Sequence, residues 1–397
     1  MRLVDVTELF FHEMQLRGVT QTWFCKGGVQ PGGLRTEYVK GIQIIVPPTM
    51  SGGGLLAKSV TRLAYWFFET VYLLKQLRSP PDAILIRDKY WAAMVAYFVA
   101  RACGCKFLIW LSYPYPEHDT EEAQTATGWR RQLKKARASL GRRLLYRFAM
   151  PRADHCFVQS EQMKTDLQAW GIAPEKMTAV PMGIARRVFD SVDLTTPLTS
   201  PPTVLYLGTL AGVRKLDILV DTFAIVARKR PDIRFQFVGD GDVPAERQQL
   251  EAHVHRRGLS EVVEFTGQLP MEEAWKHVAA ATVCLSPFRV TPVLRVASPT
   301  KFVEYLAFAK ATVGNKHPEH SAIAQASDGA LTVDWSPEAF AEAILWCLDH
   351  PGEAREMALR GRAWVQDNRT YDKLGDLVYR RLTSIIRAKD GVGGEGS

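Results

Sequence analysis

Two charged residues near the start of an otherwise apolar segment have a spacing that would let both of them contact one polar ligand. In the sequence SPTKFVEYLAFAKATVG, at residues 298–314, Lys301 and Glu304 lie one helical turn apart. Residues 302–309 are almost all apolar, which predicts a helix that is buried on every side. Two charges are therefore expected at the edge of a segment that should exclude water.

Elementary chemistry offers two interpretations of this charged pair. In the first, Ser298 caps the helix, Pro299 takes its first position, and the two charges form a salt bridge worth about 0.2–0.5 kcal/mol. In the second, the pair faces a polar ligand: the amides at residues 299 to 301 and the Lys301 ammonium bind an anion, and Glu304 accepts hydrogen bonds from sugar hydroxyls. A cation in the first turn opposes the helix dipole, but this segment alone leaves both interpretations open.

The elements that would position this segment alternate between strands and helices along the second half of the chain. Short apolar runs predict strands at 203–208, 233–242, 262–267, 282–288 and 311–314. Segments with helical periodicity, about 10–15 residues long, separate these runs. The alternation predicts a doubly wound domain, in which helices cover both faces of a parallel sheet.

The first half of the chain shows the same alternation. Strands are predicted at 83–88, 106–112 and 155–160, with an apolar helix at 90–102 and an earlier strand at 19–25. The Pro- and Thr-rich sequence TTPLTSPP, at 195–202, predicts the linker. We expect an α/β protein of two Rossmann-like doubly wound domains that face each other across a cleft. The expected divisions are residues 1–190, residues 203–370, and a C-terminal helix with a disordered tail at residues 371–397.

Three polar clusters follow predicted strands of the second half, at the edge where open α/β sheets bind their ligands. They are GTLAGVRK at 208–215, GDGD at 239–242 and SPTK at 298–301. The glycines allow close approach of the backbone to a ligand, and Arg214 and Lys215 supply cations. Each cluster alone is common in turns, but their joint placement favours a ligand that carries a diphosphate.

Length, charge and cysteine pattern narrow the class of protein. The chain has 397 residues and a formal net charge of +8, so we expect two domains and anionic partners. The six scattered cysteines fit no zinc or disulfide spacing, which indicates thiols in a reducing cytoplasm. The N-terminal sequence has no secretory signal, and the longest apolar run, at 63–74, is shorter than the ~20 residues that span a bilayer. We therefore expect a cytoplasmic protein.

Several motifs of the second half resemble those of one enzyme family. The order VLYLGTL…RKLDILVDTF, FQFVGDGD, VEFTGQLP and SPTKFVEYLA is similar to the donor-binding half of retaining, GT-B-fold glycosyltransferases of the large family-four type. Residues 153–184 resemble the end of the first domain of these enzymes, and the likeness covers roughly residues 80–385. The resemblance implies a nucleotide-sugar donor bound mainly by the second domain and an acceptor bound mainly by the first. It also implies that no metal or other cofactor is required.

The resemblance gives roles to the residues that match the family's motifs. It implies that Lys215, with Arg214 beside it, neutralises the leaving phosphates, and that Glu304 accepts hydrogen bonds from the ribose hydroxyls. Lys301 and Glu304 would then face a polar ligand. The other implied donor contacts are Gly208 and Thr209 near the diphosphate, Gly239, Asp240 and Gly241 near the nucleoside, Gln268 and Leu269 at the base, and Pro299, Thr300 and Lys301 as amides and a charge for the phosphates.

Three departures from the family pattern bear on activity. Val296 stands where the family often carries a second glutamate, eight positions before Glu304, so a contact to the donor sugar is missing or is supplied elsewhere. The family's histidine after the strand KFLIWLS is absent, and Glu117 and His118 in YPYPEH either contact the acceptor or merely line the cleft. The first helix begins within a few residues of Met1, so we expect either a truncated chain start or a domain without its usual first strand.

A basic segment in the first half indicates a further partner. The sequence WRRQLKKARASLGRRLLYRF, at residues 129–148, carries no acidic residue. Its cations are Arg130, Arg131, Lys134, Lys135, Arg137, Arg142, Arg143 and Arg147. Leucines and a phenylalanine interleave with them at roughly helical spacing, which favours an anionic membrane surface over a solvated face. No recognition motif for nucleic acid accompanies the charge, so nucleic acid is not expected as a partner.

The leading hypothesis from the sequence is a metal-independent, hexosyltransferase-type glycosyltransferase that works at the cytoplasmic face of the membrane. It would build a surface glycan or a lipid-linked saccharide with retention of configuration. The departures motivate the alternative of a catalytically impaired module that binds a sugar nucleotide or a partner. A sugar-nucleotide 2-epimerase is less well supported, because the sequence shows no carboxylate pair suited to its elimination chemistry. The sequence names neither the base, the sugar nor the acceptor.

Overall fold

The computed structural model describes residues 7–25, 34–48 and 55–387, except for the side chains of residues 7, 8 and 55–59. The chain divides into two compact units: residues 1–180 together with 374–397, and residues 181–373. Each unit contains a parallel sheet with helices, so the predicted α/β class and the presence of two such domains are confirmed.

The first unit contains a four-stranded parallel sheet and a separate three-stranded sheet. The strands are β1 Thr22–Phe24, β2 Arg35–Val39, β3 Ile42–Val46, β4 Ala83–Arg87, β5 Lys106–Leu111, β6 His155–Val158 and β7 Met177–Ala179. The larger sheet has the order β4-β5-β6-β7, and the smaller has the order β1-β3-β2, with β2 antiparallel to β3. Strand β6 is buried throughout, as expected for a parallel strand covered on both faces.

Helices surround the larger sheet of the first unit. They are π-helical Thr7–Glu13 continued by Met14–Leu16, then Leu55–Lys75, Tyr90–Cys103, Tyr115–Thr125, Gly128–Gly141, π-helical Arg142–Ala149, Met150–Arg152 and Glu161–Gln168, with a 3-10 turn at Pro174–Lys176. The last helix of the described residues, Tyr371–Arg387, joins this unit through a 2.7 Å salt bridge between Asp376 and Arg17. No helix in the described part of the chain is both long and apolar enough to span a bilayer.

The second unit contains one six-stranded sheet in which all pairs are parallel. Its strands are β8 Thr203–Leu207, β9 Arg234–Val238, β10 Val263–Phe265, β11 Val283–Ser286, β12 Ala311–Asn315 and β13 Leu331–Val333. The spatial order is β10-β9-β8-β11-β12-β13. Numbered within the unit, this is the 3-2-1-4-5-6 order of doubly wound nucleotide-binding sheets. All strands point the same way, but successive strands are added toward one edge of the sheet from strand 1 and toward the other edge from strand 4.

The helices of the second unit cover both faces of this sheet. They are Arg186–Asp190, Asp217–Lys229, Pro244–Arg256, Met271–Ala280, Thr300–Ala307, Pro318–Ser327, Pro337–Asp349 and Pro351–Asn368, with 3-10 turns at Gly212–Arg214 and Leu294–Val296. Aromatic residues fill the core: Phe223 stacks on Phe235 with ring centroids 4.2 Å apart, and neither residue is exposed. Burial of such side chains contributes about 1.5–3 kcal/mol each, which stabilises the scaffold of the site.

Every strand that periodicity predicted is present in the structure, with small changes at its ends. Sequence reasoning missed β2, β3, β7 and β13. Strand β2 is exposed along its whole length, and β7 and β13 span only three residues each, so none shows the alternation by which strands are recognised. The predictions about a missing first strand and a disordered tail fall on residues 1–6 and 388–397, outside the described residues.

Candidate functional site

The candidate site lies at the carboxyl edge of the second unit's sheet, where β8 and β11 diverge. These strands pair only at Val204 with Val283 and at Leu205 with Cys284. Further along β8, the backbone of Leu207 is satisfied instead by the Tyr305 hydroxyl, which accepts from its N–H at 2.8 Å. Tyr305 is wholly buried and thereby fixes the helix Thr300–Ala307 against the end of β8. A crevice at such a switch point is where doubly wound sheets bind ligands.

Two glycine turns form one side of this crevice. The Gly208 N–H donates to the carbonyl of Val238 at 3.0 Å, and the Leu210 N–H donates to the carbonyl of Asp240 at 2.9 Å. Gly239 has a φ of 138°, and a β-carbon there would lie 2.1 Å from the Gly208 carbonyl oxygen. Only glycine fits this contact, so the predicted clusters GTLAGVRK and GDGD are packed against each other.

Glu246, which sequence reasoning missed, ties the two turns together. One of its carboxylate oxygens accepts from the Gly212 N–H at 2.8 Å, and the other accepts from the Asp242 N–H at 2.9 Å. These backbone hydrogen bonds, led by that from Gly212, lower the pKa of the Glu246 carboxyl. The capping-box spacing of glutamate at the third helical position was the available signal, since Glu246 opens the helix Pro244–Arg256.

A cavity of about 320 Å³ opens beside the second turn. Its lining residues are Asp240, Gly241, Pro244, Arg247, Gln248 and Glu251. Arg247 forms a 3.7 Å ion pair with Asp240 and lies over the ring of Phe265 at 5.8 Å. The predicted base contacts Gln268 and Leu269 follow directly after Gly267, which forms an antiparallel bridge with Gly239. Loops from three adjacent strands therefore meet next to this cavity.

Arg214 is held at the crevice by residues from two other strands. Its guanidinium carbon lies 4.8 Å from the centroid of the Phe288 ring, which follows β11. The side-chain amide of Asn315, at the end of β12 and 2% exposed, accepts from the Phe288 N–H at 2.7 Å and donates to its carbonyl at 3.0 Å. Asn315 therefore fixes the backbone of Phe288, whose ring positions the Arg214 cation.

Lys215 is exposed and adopts a left-handed conformation, with φ of 52°. Among the described residues it has neither an acidic partner nor a side-chain hydrogen bond. The 3-10 turn Gly212–Arg214 ends at this residue, so its backbone conformation is set by the turn. The two predicted cations thus differ: Arg214 is braced by an aromatic ring, whereas the Lys215 ammonium is available to a ligand.

The helix Thr300–Ala307 corrects two details of the prediction. Its cap residue is Pro299, not Ser298, and no side chain caps the helix. Proline has no N–H, so the amides open to an anion belong to Thr300, Lys301 and the residue that follows, and residue 299 contributes none. The apolar segment is buried as predicted, and an uncapped N terminus leaves these N–H groups available to a ligand.

Lys301 and Glu304 contact each other at the start of this helix. The ammonium nitrogen lies 2.8 Å from a Glu304 carboxylate oxygen, and the side chains are 25% and 15% exposed. The salt bridge of the first interpretation is therefore present. Partial exposure leaves both groups able to reach a ligand, so the role in donor binding stays a prediction.

Ser298 belongs to a buried network rather than to a helix cap. Its hydroxyl accepts from the Met182 N–H at 3.0 Å and donates to the Glu319 carboxylate at 3.1 Å. Arg369 forms a 2.7 Å salt bridge with Glu319, and the two side chains are 11% and 6% exposed. This ion pair therefore supports the loop that leads into the helix Thr300–Ala307.

Two neutral histidines pack behind the same loop. The His317 Nε2 donates to the carbonyl of Leu294 at 2.9 Å, while its Nδ1 accepts from the Glu319 N–H at 3.2 Å. His320 stacks on Phe302 with centroids 4.2 Å apart. Burial lowers the pKa of His317, and it lowers that of His320 well below the ordinary value. Val296, at the position of the missing glutamate, is 3% exposed and packs in this region.

The first unit has its own polar groups at the carboxyl ends of β4 and β5. The predicted acceptor residue Glu117 accepts from Tyr146 at 2.7 Å and pairs with Arg142 at 3.2 Å, so it also has a structural role. His118 lies 3.1 Å from the Tyr113 hydroxyl. Their acceptor roles stay predictions, because nothing in the structure marks an acceptor.

Sequence reasoning missed Arg87, the last residue of β4, and Asp88 and Lys89, which follow it directly. Arg87 lies over the Trp110 ring at 4.4 Å and donates to the Ser112 hydroxyl at 3.1 Å. Asp88 has φ of 56° and accepts from the Ser112 N–H at 2.7 Å, and burial raises the pKa of its carboxyl. A run of three charged residues at the end of a strand was the signal available in the sequence.

Several cations of the basic segment, residues 129–148, have acidic partners that the sequence of the segment does not show. Acidic residues of the helix Tyr115–Thr125 pair with three of its cations: Lys134 with Glu122, Arg137 with Asp119 at 3.5 Å, and Arg142 with Glu117 at 3.2 Å. The expectation of eight unpaired cations is therefore wrong for these three, because the partners come from an element outside the segment.

Sequence comparison places the chain in a known family. The family model described as "Glycosyl transferase 4-like domain" matches residues 5–183, and the one described as "Glycosyl transferases group 1" matches residues 201–350. Together the two matches span most of the chain, so the protein belongs to the group 1 glycosyltransferases of the family-four type. A search of curated proteins gives no match.

Solved structures of low sequence identity share the GT-B fold of this chain. Sucrose-phosphate synthase from Thermosynechococcus elongatus is 17% identical, with a TM-score of 0.65, over 94% of this chain and 91% of that one. A glycosyltransferase from Rickettsia africae is 13% identical, with a TM-score of 0.68, over 96% and 93% of the two chains. Anabaena HepE, solved with UDP and glucose, is 14% identical, with a TM-score of 0.61, over 92% and 100%.

Proposed function

We propose that the protein is a retaining, hexosyltransferase-type glycosyltransferase that moves a sugar from a nucleoside-diphosphate sugar to a glycan or a lipid-linked acceptor. The observation that carries the proposal is the crevice between β8 and β11. There Arg214, Lys215 and the uncapped N terminus of the helix Thr300–Ala307 concentrate positive charge. A diphosphate fits such a site, and the complexes of HepE with UDP lend support from a protein of the same fold.

The chemistry of transfer explains why the charge belongs there. When the bond between the sugar and the phosphate breaks, its electron pair stays on the leaving nucleoside diphosphate. Fixed cations and helix-end amides stabilise that charge most in the transition state, without reorganisation at the moment of reaction. Lys215 has no acidic partner among the described residues, so its charge is not already neutralised. The cavity beside Asp240 is proposed to hold the nucleoside, with Glu304 at the ribose.

The acceptor is proposed to bind the first unit at the carboxyl ends of β4 and β5. Arg87 and Lys89 are cations at that edge, with side chains 30% and 39% exposed, and each already pairs with a carboxylate: Arg87 with Asp88 at 3.4 Å and Lys89 with Glu69. The proposal uses the N–H groups that these two ion pairs leave over. They suit an acceptor that carries a phosphate, as a lipid-linked saccharide does. We place the reaction at the cytoplasmic face of the membrane, because the basic segment of the same unit favours an anionic surface.

A thermal-shift screen against UDP, GDP, ADP and their sugars tests donor binding. A donor present at about 100 times its dissociation constant stabilises its protein by about 2.7 kcal/mol, so one nucleotide should raise the melting temperature clearly. The Lys215→Ala variant should show a smaller shift with the same nucleotide. If no nucleotide or sugar nucleotide shifts the unfolding of the wild-type protein, the proposed function is wrong.

A binding module without turnover is the alternative, and one position favours it. Val296 is buried where the family often carries a glutamate, so the donor sugar lacks one contact that would hold it for transfer. The two functions differ in one observable: the enzyme slowly releases nucleoside diphosphate from its donor, whereas the module binds the donor tightly and releases none.

Removal of divalent metal should leave the transfer rate unchanged. Arg214, Lys215 and the helix end are proposed to neutralise the diphosphate, which is the task a metal ion performs in other transferases. The measurement is the initial rate with and without EDTA, after passage of the protein over a chelating resin. A strict requirement for Mg²⁺ would contradict this account of how the leaving group is stabilised.

Replacing Phe288 by leucine should raise the KM for the donor by about three- to tenfold, because an exposed cation–π contact is worth about 0.5–1 kcal/mol and more when desolvated. Leucine keeps most of the volume but removes the ring that supports Arg214. Phe288→Trp retains a ring and serves as the matched control, with a KM near that of the wild type. Equal KM values for the leucine and tryptophan variants would show that the ring does not position Arg214.

A further inference from the structure

One helix of the first unit exposes an apolar stripe that nothing in the described chain covers. In the helix Gly128–Gly141, Trp129, Leu133 and Leu140 are 71%, 51% and 54% exposed. Positions four and eleven residues apart share one face of a helix with 3.6 residues per turn. The three side chains therefore form a continuous stripe along the outside of the helix, which is unusual for a surface in contact with water.

The buried side of this helix lies away from the stripe. Only Ala138 and Gly141 are buried, and a β-carbon at Gly141 would lie 3.2 Å from the Pro116 side chain. The cations nearest to the acidic helix Tyr115–Thr125 are paired with it, as described above. Contact with the rest of the unit therefore uses one side of the helix and leaves the stripe exposed on another.

Four cations without an acidic partner among the described residues lie in this helix or just after it. These residues are Arg130, Arg131, Lys135 and Arg143, and all four are exposed. By helical position, Arg130 borders the stripe, whereas Arg131 and Lys135 lie toward the opposite, polar side of the helix. A narrow apolar face on a helix whose polar side is rich in cations is the arrangement of helices that lie in the interface of an anionic bilayer.

We propose that the exposed stripe of the helix Gly128–Gly141 inserts into the interface of an anionic membrane, with the four unpaired cations on its lipid headgroups. The biological role of this membrane binding rests on the proposed function, since insertion would bring the first unit to a lipid-linked acceptor. This proposal differs from a purely electrostatic attraction between residues 129–148 and the membrane. In the proposal the apolar residues bind lipid, and the cations already paired with carboxylates contribute little.

Flotation of the full-length protein with phosphatidylcholine vesicles, with and without phosphatidylglycerol, tests the proposal. Each cation near an anionic surface contributes about fivefold to partitioning, so serine at Arg130, Arg131 and Lys135 should lower binding about 100-fold. Serine at Trp129, Leu133 and Leu140 should lower it at least about tenfold and remove the part that survives high salt. Lys134→Ser should bind nearly as the wild type does, because Glu122 already neutralises that cation.

Matched control variants lie in the second unit. Serine at Arg228, Lys229 and Arg256 removes the same charge, and serine at Leu198, Trp335 and Leu359 removes the same apolar side chains from exposed positions. Both controls should float as the wild type does. The proposal is overturned if the stripe variant floats like the wild type, or if the wild type binds neither kind of vesicle. If the wild type binds neither kind and instead self-associates, the stripe is a protein interface.

Donor binding without vesicles separates this inference from the proposed function. The stripe and cation variants should show the wild-type thermal shift with the donor nucleotide, because their substitutions lie in the first unit. Loss of flotation with an intact donor shift supports the membrane surface. Intact flotation in a protein that binds no nucleotide would refute the proposed function and leave the membrane surface standing.

Discussion

Replacing either Glu304 or Lys215 by alanine is expected to lower the rate of sugar transfer at least tenfold. Each variant loses a donor contact proposed to be worth about 1.4 kcal/mol or more in the transition state. Lys215 is exposed and without an acidic partner among the described residues, so Lys215→Ala should leave the melting temperature unchanged. Steady-state kinetics with the identified donor measures both effects.

Glu304 needs a closer control, since it also pairs with Lys301. Glu304→Gln keeps the shape and one acceptor oxygen but removes the charge, which separates loss of a hydrogen bond from loss of the salt bridge. Lys229→Ala removes an exposed lysine of the same unit and should not change the rate. Wild-type rates in both the Lys215 and the Glu304 alanine variants would refute the assignment of the site.

Replacing Arg369 by methionine is expected to lower the free energy of unfolding by about 3–5 kcal/mol, because the buried Glu319 carboxylate then lacks its partner. Donor affinity should fall as well, since Glu319 holds Ser298 at the entrance to the helix Thr300–Ala307. Urea denaturation followed by tryptophan fluorescence measures the first effect, and donor titration measures the second.

The double variant Arg369→Met with Glu319→Leu is the matched control for this buried pair. Removing both charges and keeping comparable volume should restore most of the lost stability, because a well-packed apolar pair often replaces a buried ion pair without loss. A single Arg369→Met variant as stable as the wild type would show that the pair does not support the loop.

The general architecture of the second unit could be predicted from the sequence, because the spacing of apolar residues within each short segment identifies it as a strand or a helix. Parallel strands place their carboxyl ends at one edge, so the clusters after β8 and β9 had to meet there. The contact between Gly208 and Gly239 is a consequence of that rule, and the glycines were its visible signal.

The supports of the site could not be predicted, because each depends on residues that are distant in sequence. Phe288 lies under Arg214, and Asn315 fixes Phe288, but no local pattern pairs an arginine with a ring from another loop. At Ser298 a distant residue overrides a local prediction. A local capping rule favours it as a helix cap, yet a buried glutamate from the helix Pro318–Ser327 offers a stronger hydrogen bond.

The basic segment shows how tertiary contacts change an electrostatic argument. Counted along the sequence, residues 129–148 have no acidic partner, but the neighbouring helix neutralises Lys134, Arg137 and Arg142. The exposed stripe of Trp129, Leu133 and Leu140 could have been a buried face by periodicity alone, because spacing does not tell which side of a helix is covered.

Release of nucleoside diphosphate from a panel of UDP-, GDP- and ADP-sugars tests the central claim most directly. The purified protein is incubated with each donor, with and without vesicles that carry lipid-linked acceptors, beside the Glu304→Ala and Lys215→Ala variants. We predict release from at least one donor by the wild type, falling at least tenfold in each variant. Tight binding of a sugar nucleotide with no release above that of heat-denatured protein would contradict the account.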